Sequence, residues 1–209
     1  MRITRMAVLV VTTIVAVGSV AEAQNPAGTP PGQPQGRGGR GRGAVRVFTL
    51  QSSAFPDGGQ IPIRHAQPGH DVSPPLAWSG APDSAASFVL IVHDADAAIG
   101  NGTDDLLHWM VWNIPGTVTS LPEGVPQGAQ LIDGSRQISG TGPYYRGPAA
   151  AATGPAHHYV FELFALDATL DVPAVGATPV ATRAAVVAAM GGHIRGKAVM
   201  VGLFRRAAP

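Results

Sequence analysis

The chain has 209 residues, of which only 13% are charged, and its formal net charge at neutral pH is +1. This length suits one domain with a substantial core. Nucleic-acid binders usually carry a concentrated basic face, and a net charge of +1 gives no indication of one. Cysteine is absent, which excludes disulfides, a thiol nucleophile and a cysteine-based zinc site.

Residues 1–23 have the pattern of a secretory signal. Arg2 and Arg5 supply a basic start, residues 6–20 are mainly apolar, and residues 21–23 (Ala-Glu-Ala) match a small-x-small cleavage site. A retained membrane anchor is the alternative, but the apolar run is shorter than the roughly 20 residues that a span requires. We therefore expect cleavage after Ala23, no transmembrane segment afterwards, and a periplasmic or secreted protein.

Residues 24–43 are rich in proline and then in glycine and arginine, with almost no apolar side chain to bury. Such a segment cannot offset the entropy lost on ordering, so we predict a disordered linker. Gly-Arg repeats also occur in segments that contact RNA, but their position behind a secretory signal favours a soluble tether and no nucleic-acid partner. One globular domain is predicted over residues 44–209.

The globular part is predicted to be mainly β. Residues 88–96 (Phe-Val-Leu-Ile-Val-His-Asp-Ala-Asp) form a continuous apolar run with a polar end, as expected of a strand buried on both faces. One helix is predicted over residues 180–190, with Thr178 as its N-cap and Pro179 in its first turn. Further strands are predicted over residues 45–50, 61–64, 106–114, 157–167 and 197–204.

Polar residues at the ends of these strands form the candidate site. Asp94 and Asp96 end the central strand at positions i and i+2, and this spacing predicts that both side chains point to the same side. His108 and His157 stand at the starts of two other strands, and antiparallel pairing would place those starts beside the acids. The alternative is a solvated strand end, with histidines that serve only as structural hydrogen-bonding partners.

Three kinds of chemistry fit these four residues. A His/Asp metal site is one, although the sequence has no His-Glu-x-x-His motif. A hydrolase is another, although the chain lacks both Gly-x-Ser-x-Gly and cysteine. The third is an anion pocket, in which imidazolium groups, tyrosine hydroxyls and the amides of residues 142–147 donate to a phosphate. For an imidazole beside carboxylates we expect a raised pKa, and hence anion binding that strengthens as the pH falls.

Several segments, in order along the chain, resemble motifs of the phosphatidylethanolamine-binding protein family, in its bacterial Raf-kinase-inhibitor-like branch. The resemblance extends from about Val47 to Phe204. The matching segments are residues 73–78 (Ser-Pro-Pro-Leu-Ala-Trp), 94–98 (Asp-Ala-Asp-Ala-Ala), 108–113 (His-Trp-Met-Val-Trp-Asn), 157–161 (His-His-Tyr-Val-Phe) and 192–194 (Gly-His-Ile).

The resemblance implies a mainly β fold, in which a large antiparallel sheet packs on a smaller sheet, with one or two peripheral helices. It also implies a small cavity for phosphate-like anions or phosphorylated head groups. Members of the family act as ligand binders and as modulators or inhibitors of kinases and proteases, so no enzymatic activity and no cofactor or metal are implied. The residues that we assign to the cavity are Asp94, Asp96, His108, Tyr145, Gly147 and His157.

Two departures from the family pattern fall at this cavity. Ala95 and Ala98 stand where the signature has prolines, and alanines at 149–152 replace the usual prolines of the loop that follows Gly147. Each replacement removes a fixed backbone angle.

We expect an exported, non-enzymatic anion binder that acts on a protein target. The alternatives are a secreted hydrolase or metal-dependent enzyme using the Asp/His cluster, and an inhibitor that acts through its surface.

Overall fold

The computed structural model describes residues 45–208, so the predicted signal (1–23) and linker (24–43) lie outside the described residues. The described part contains ten strands, one α-helix and one short 3-10 helix. Their bounds are β1 Arg46–Val47, β2 Thr49–Gln51, β3 Gly59–Gln60, the 3-10 helix Ile63–His65, β4 Leu76–Ser79, β5 Ser87–Ile99, β6 Asp104–Pro115, β7 Ser120–Leu121, β8 Arg136–Ile138, β9 His157–Leu166, α1 Pro179–Ala189 and β10 Ile194–Phe204.

The strands form two sheets, which confirms the predicted fold class. The large sheet has the order β1-β10-β9-β5-β6-β8, with β3 also paired to β10, and the small sheet has the order β2-β4-β7. Strands β10, β9, β5, β6 and β8 pair in antiparallel fashion, as predicted. The short strands β1 and β3 pair parallel to β10, so the large sheet is mixed.

Both faces of the large sheet are buried at its centre, which explains the continuous apolar run in β5. Phe88 and Leu90 face the core between the two sheets, where Trp78 of the small sheet contacts Phe88 edge-on at a ring distance of 5.3 Å. Val89 and Ile91 face the opposite way and pack in a second core with Val186 of α1 and its neighbours. A strand with two buried faces shows no apolar–polar alternation.

The helix prediction is confirmed at its N-terminus, where Thr178 Oγ1 accepts a hydrogen bond from Ala181 N at 3.2 Å and Pro179 occupies the first turn. The predicted strand over residues 61–64 is wrong. Pro62 has a φ of −59° and precedes the 3-10 helix, in which His65 N donates to Pro62 O at 2.9 Å. The first strand, predicted over residues 45–50, is divided into two strands in the structure. Strand β1 joins the large sheet and β2 joins the small one.

Candidate functional site

The antiparallel register of the large sheet determines which polar residues meet. Asp94, in the second half of β5, pairs with Leu106 near the start of β6 and with Tyr159 at the start of β9. The ladder between β5 and β6 shifts register beside His108, between the pairs Val92–Trp109 and His93–Leu107. One end of the sheet therefore carries Asp94 together with the first residues of its two neighbouring strands, including His157.

Asp94 and His157 form the most buried ion pair of this cluster. The Asp94 side chain is 5% exposed, and its Oδ2 lies 2.8 Å from His157 Nδ1. Its Oδ1 also accepts hydrogen bonds from the backbone N–H groups of Asp96 at 3.0 Å and Ala97 at 3.1 Å. Because a carboxylate accepts only, His157 Nδ1 carries a proton, which leaves Nε2 as the ring nitrogen that is free of the Asp94 contact.

His108 is held from the other side of its ring. Its Nδ1 donates to the carbonyl of Arg146 at 2.6 Å, while its Nε2 is buried and has no hydrogen-bond partner among the described residues. A buried polar atom without a partner needs an explanation, and a bound ligand that donates to this nitrogen or accepts from it supplies one. The ring also packs edge-on against Tyr159, with 5.0 Å between ring centroids.

The expectation of a raised imidazole pKa is wrong for His108. Burial lowers its pKa and outweighs the opposing effects of the Arg146 carbonyl and the Asp94 carboxylate. Desolvation disfavours the charged form of a histidine, and here the ring is only 2% exposed. His108 is therefore neutral at neutral pH, with its proton on Nδ1 and a lone pair on Nε2.

Tyr159 belongs to the cluster and was missed by the sequence analysis. It stands two residues after His157 on β9, so the two side chains share the face that borders the core between the sheets. Its hydroxyl oxygen accepts from Ala149 N at 3.3 Å. Burial, with a smaller effect from the Asp94 carboxylate, raises the pKa of Tyr159 and keeps the hydroxyl protonated. The i, i+2 spacing from His157 is the sequence signal that could have identified it.

Asp96 does not join this cluster, so the prediction that it points the same way as Asp94 is wrong. Its Oδ2 accepts from the backbone N and from Nδ1 of His158, at 2.6 and 2.8 Å, and these contacts lower the pKa of Asp96. His158 alternates with His157 on β9 and so faces away from the cluster. The ladder between β5 and β9 ends at Asp94, and beyond it the side chains of β5 no longer follow the register of their neighbours.

Tyr145 and Gly147 support the cluster from the loop between β8 and β9. The buried Tyr145 hydroxyl donates to the carbonyl of His65 at 2.8 Å, and burial raises its pKa well above the usual value. Gly147 N donates to Asp71 Oδ1 at 2.6 Å, and a Cβ on Gly147 would lie 2.3 Å from His65 O. Both residues use these groups to fix the loop, so neither is placed to donate to a ligand.

Asp71 also fixes this loop and was not identified from the sequence. Its backbone has a φ of 57°, and its second carboxylate oxygen lies 3.3 Å from Arg146 Nη1. The side chain thereby ties the loop that carries Arg146, whose carbonyl orients His108, to the segment after the 3-10 helix. Nothing in the local sequence signals this role, because the two segments are separated by 75 positions.

The cluster thus contains the Nε2 atoms of His108 and His157 and the hydroxyl of Tyr159, beside the buried carboxylate of Asp94. Across residues 45–208, no group of three or more His, Asp or Glu side chains is arranged to hold a metal ion. A tyrosine hydroxyl, and imidazole nitrogens that either take up a proton or accept one from the ligand, suit the oxygens of a small anion. Within the same described range, no helix is long and apolar enough to cross a membrane.

Comparison with known proteins gives one consistent result. The sequence model of the family "PBP: Phosphatidylethanolamine-binding protein" matches residues 51–205. A UPF0098 protein of Methanothermobacter thermautotrophicus is 42% identical over 162 residues, which cover 76% of this chain and 99% of the relative. A Mycobacterium tuberculosis protein named "Putative lipoprotein LppC" is 35% identical over 162 residues, or 77% of this chain and 74% of that protein.

A solved structure gives the same result. A Chlamydia trachomatis protein named "Putative PhosphatidylEthanolamine-Binding Protein (PEBP) Homolog CT736" superposes with a TM-score of 0.64 at 32% sequence identity. The match covers 78% of this chain and 99% of that one.

Proposed function

The chain belongs to the phosphatidylethanolamine-binding protein family, and on this premise we propose that it binds phosphate-like anions or phosphorylated head groups at the Asp94 cluster. We define the Asp94 cluster as Asp94, His108, His157 and Tyr159. The observation that carries the proposal is the buried Nε2 of His108, which has no partner in the described structure, beside a His157 ring that Asp94 orients.

The charges of the cluster support an anionic ligand. Asp94 Oδ2 lies 2.8 Å from His157 Nδ1, so a ligand anion would contact an imidazole ring whose other nitrogen is paired with a carboxylate. Tyr159 remains protonated and adds a neutral donor. His108 adds either a donor, when it takes up a proton, or an acceptor for the proton of a monohydrogen phosphate. Each of these interactions needs an oxygen-rich ligand of small size.

We propose binding without catalytic turnover. The cluster orients two imidazoles, but within residues 45–208 no serine, threonine or cysteine is a hydrogen-bond partner of the His157 ring, which pairs with Asp94. Nucleophilic catalysis needs such a group within hydrogen-bonding distance of the base. Hydrolysis of phosphate or carboxylate esters that disappears in His157→Gln would overturn this proposal in favour of an enzyme.

Calorimetric titration with phosphate and with phosphoethanolamine tests the binding proposal. We expect one site, and we expect His157→Gln to weaken binding by about 10- to 100-fold, because a charge-assisted hydrogen bond contributes about 1.5–3 kcal/mol. His193→Gln is the matched control, since His193 pairs with Asp167 near the opposite end of β9 and should leave the affinity unchanged. Equal affinities of the wild type and His157→Gln would remove His157 from the site.

Tyr145→Phe separates support from ligand contact in the same assay. The Tyr145 hydroxyl already donates to His65 O, so its loss should lower the free energy of unfolding by about 1 kcal/mol. The affinity for phosphate should change little.

Anion binding should strengthen as the pH falls below the ordinary imidazole pKa. In the free protein burial lowers the pKa of His108 below its usual 6.5, and a bound anion would raise it by stabilising the imidazolium. Binding therefore takes up a proton in the window between the lowered pKa and the raised one, and the affinity increases as the pH falls through that window.

Sulfate is the probe for this experiment, because its charge does not change between mildly basic and mildly acidic pH. We expect His108→Gln to show a shallower pH dependence than the wild type, while His193→Gln keeps the wild-type slope. An identical slope in His108→Gln and the wild type would mean that another group takes up the proton.

We also propose that the protein is exported. Residues 1–23 have the composition of a secretory signal, and one relative carries the name of a lipoprotein. Fractionation of the native host, followed by mass spectrometry of the protein's N-terminus, should find it outside the cytoplasm and starting at Gln24. A cytoplasmic protein that retains Met1–Ala23 would contradict this proposal.

A further inference from the structure

A concave surface lies between α1 and the hairpin of β5 and β6. Its volume is about 630 Å³, which is within the range of small-molecule sites. Leu107 packs with the core that α1 covers, whereas the Asp94 cluster borders the core between the sheets, so the two sites lie on opposite faces of the large sheet. We call this surface the helix groove. Its lining includes Ile99, Leu106, Leu107, Val180, Ala184 and Val187.

Three large apolar side chains of the helix groove are open to solvent. Val180 is 79% exposed, Val187 is 49% exposed and Ile99 is 42% exposed. Single exposed apolar residues are common on protein surfaces, but several around one concavity are typical of a binding site. An apolar ligand in the helix groove would cover all three.

The charged side chains that line the helix groove differ in whether they have a partner of opposite charge. Arg183 of α1 forms a two-pronged ion pair with Asp105, in which the Nη2–Oδ2 distance is 3.1 Å, and His93 Nδ1 lies 2.5 Å from the same Oδ2 atom. Burial alone would raise the pKa of Asp105, and its pairing with Arg183 and His93 lowers it instead. The charges of Asp105 and Arg183 therefore compensate each other.

Asp104 is the remaining charge of the groove. It lines the groove and is exposed, and among residues 45–208 it has no ion pair and no side-chain hydrogen bond. An apolar surface with one uncompensated carboxylate complements an apolar body that carries a positive charge. A neutral or anionic amphiphile of the same size lacks that complementarity.

We propose that the helix groove binds a small cationic amphiphile, with its aliphatic body against Ile99, Val180 and Val187 and its ammonium group beside Asp104. Most of the affinity comes from the apolar body, since an exposed ion pair contributes little. Each added methylene that is buried should strengthen binding about fourfold. The charge determines the preference among ligands of equal length.

The test is a titration of the purified full chain with octylammonium, decylammonium, octanol and octyl sulfate below their micelle concentrations, followed by amide NMR. We expect octylammonium to shift residues 99–107 and 180–187, decylammonium to bind more than tenfold more tightly, and octyl sulfate to bind most weakly at these residues. Asp104→Asn should weaken octylammonium about threefold and leave octanol unchanged. The same series is also run with the His157→Gln variant. This variant weakens any binding of octyl sulfate at the Asp94 cluster, so the comparison then reports on the helix groove.

Ala184→Trp places a large ring in the groove from the helix and should abolish octylammonium binding. Its phosphate affinity reports whether the protein is folded, because the Asp94 cluster lies on the other face. Equal affinities for octylammonium and octyl sulfate, or shifts confined to other residues, would overturn the proposal. So would sedimentation showing that a second copy of the chain covers this surface in solution.

Discussion

Asp94→Asn should weaken phosphate binding by about 10- to 100-fold. Asparagine keeps the shape and can still accept from the backbone N–H groups of Asp96 and Ala97, but its amide NH2 group stands in place of the charged oxygen that accepts from His157 Nδ1. The loss corresponds to about 1.5–3 kcal/mol, the usual contribution of a charge-assisted hydrogen bond. Calorimetric titration of phosphate into the variant measures it directly.

Asp96→Asn is the matched control for this prediction. Asp96 is two positions away in the same strand, is exposed, and contacts His158 instead of the Asp94 cluster. Its replacement should leave the phosphate affinity within about twofold of the wild type, since exposed ion pairs contribute little. Equal losses in the two variants would mean that both carboxylates belong to the site, as the sequence alone suggested.

Glu162→Gln should destabilise the fold more than any other single charge removal on the α1 face of the sheet. Glu162 lies between Lys197 on β10, at 2.5 Å, and His93 on β5, at 3.5 Å. The contact with His93, opposed by burial and reinforced by Lys197, lowers the pKa of Glu162 to about 2. Relative to the usual 4.5 this corresponds to roughly 3 kcal/mol of stability at neutral pH, and solvent screening of the partly exposed Glu162 reduces it to about 2–3 kcal/mol.

The pH dependence of this loss follows from two opposite shifts. The lowered pKa of Glu162 contributes stability above about 4.5, and the contribution is lost as the pH falls through about 2. Pairing with Glu162 raises the pKa of His93, despite burial, so that contribution is present below 6.5 and is lost as the pH rises through the raised value. The difference in unfolding free energy between wild type and variant should therefore be largest between pH 4.5 and 6.5.

Urea unfolding at several pH values measures this difference. Glu123→Gln is the control, because Glu123 pairs with Arg64 at the surface and its replacement should change stability little. A Glu162→Gln variant with wild-type stability across this range would show that solvent already screens the three charges.

The meeting of Asp94 with His157 follows from features visible in the sequence. A continuous apolar run with an acidic end, followed by strands that begin with histidine, brings these ends together once the strands pair in antiparallel order. The fold class and the helix cap were predictable for the same reason, since apolar runs, prolines and capping residues act locally.

The remaining parts of the site depend on contacts that no local pattern encodes. The orientation of the Asp96 side chain was predicted wrongly because the pairing of β5 with β9 ends at Asp94. The alternation of side chains along a strand does not indicate where such pairing ends. Tyr145 and Tyr159 are equally plausible from sequence, and only the loop contact with His65 separates their roles. The pKa of His108 is lowered, whereas the sequence predicted a raised value, because the effect of burial outweighs that of the nearby carboxylate.

A crystal structure of the protein grown in saturating phosphate tests the central claim most directly. The account predicts a phosphate in contact with Nε2 of His157, Nε2 of His108 and the hydroxyl of Tyr159, with the contact between His157 Nδ1 and Asp94 retained. A structure in which phosphate binds elsewhere on the protein, while water alone contacts these three atoms, would contradict it.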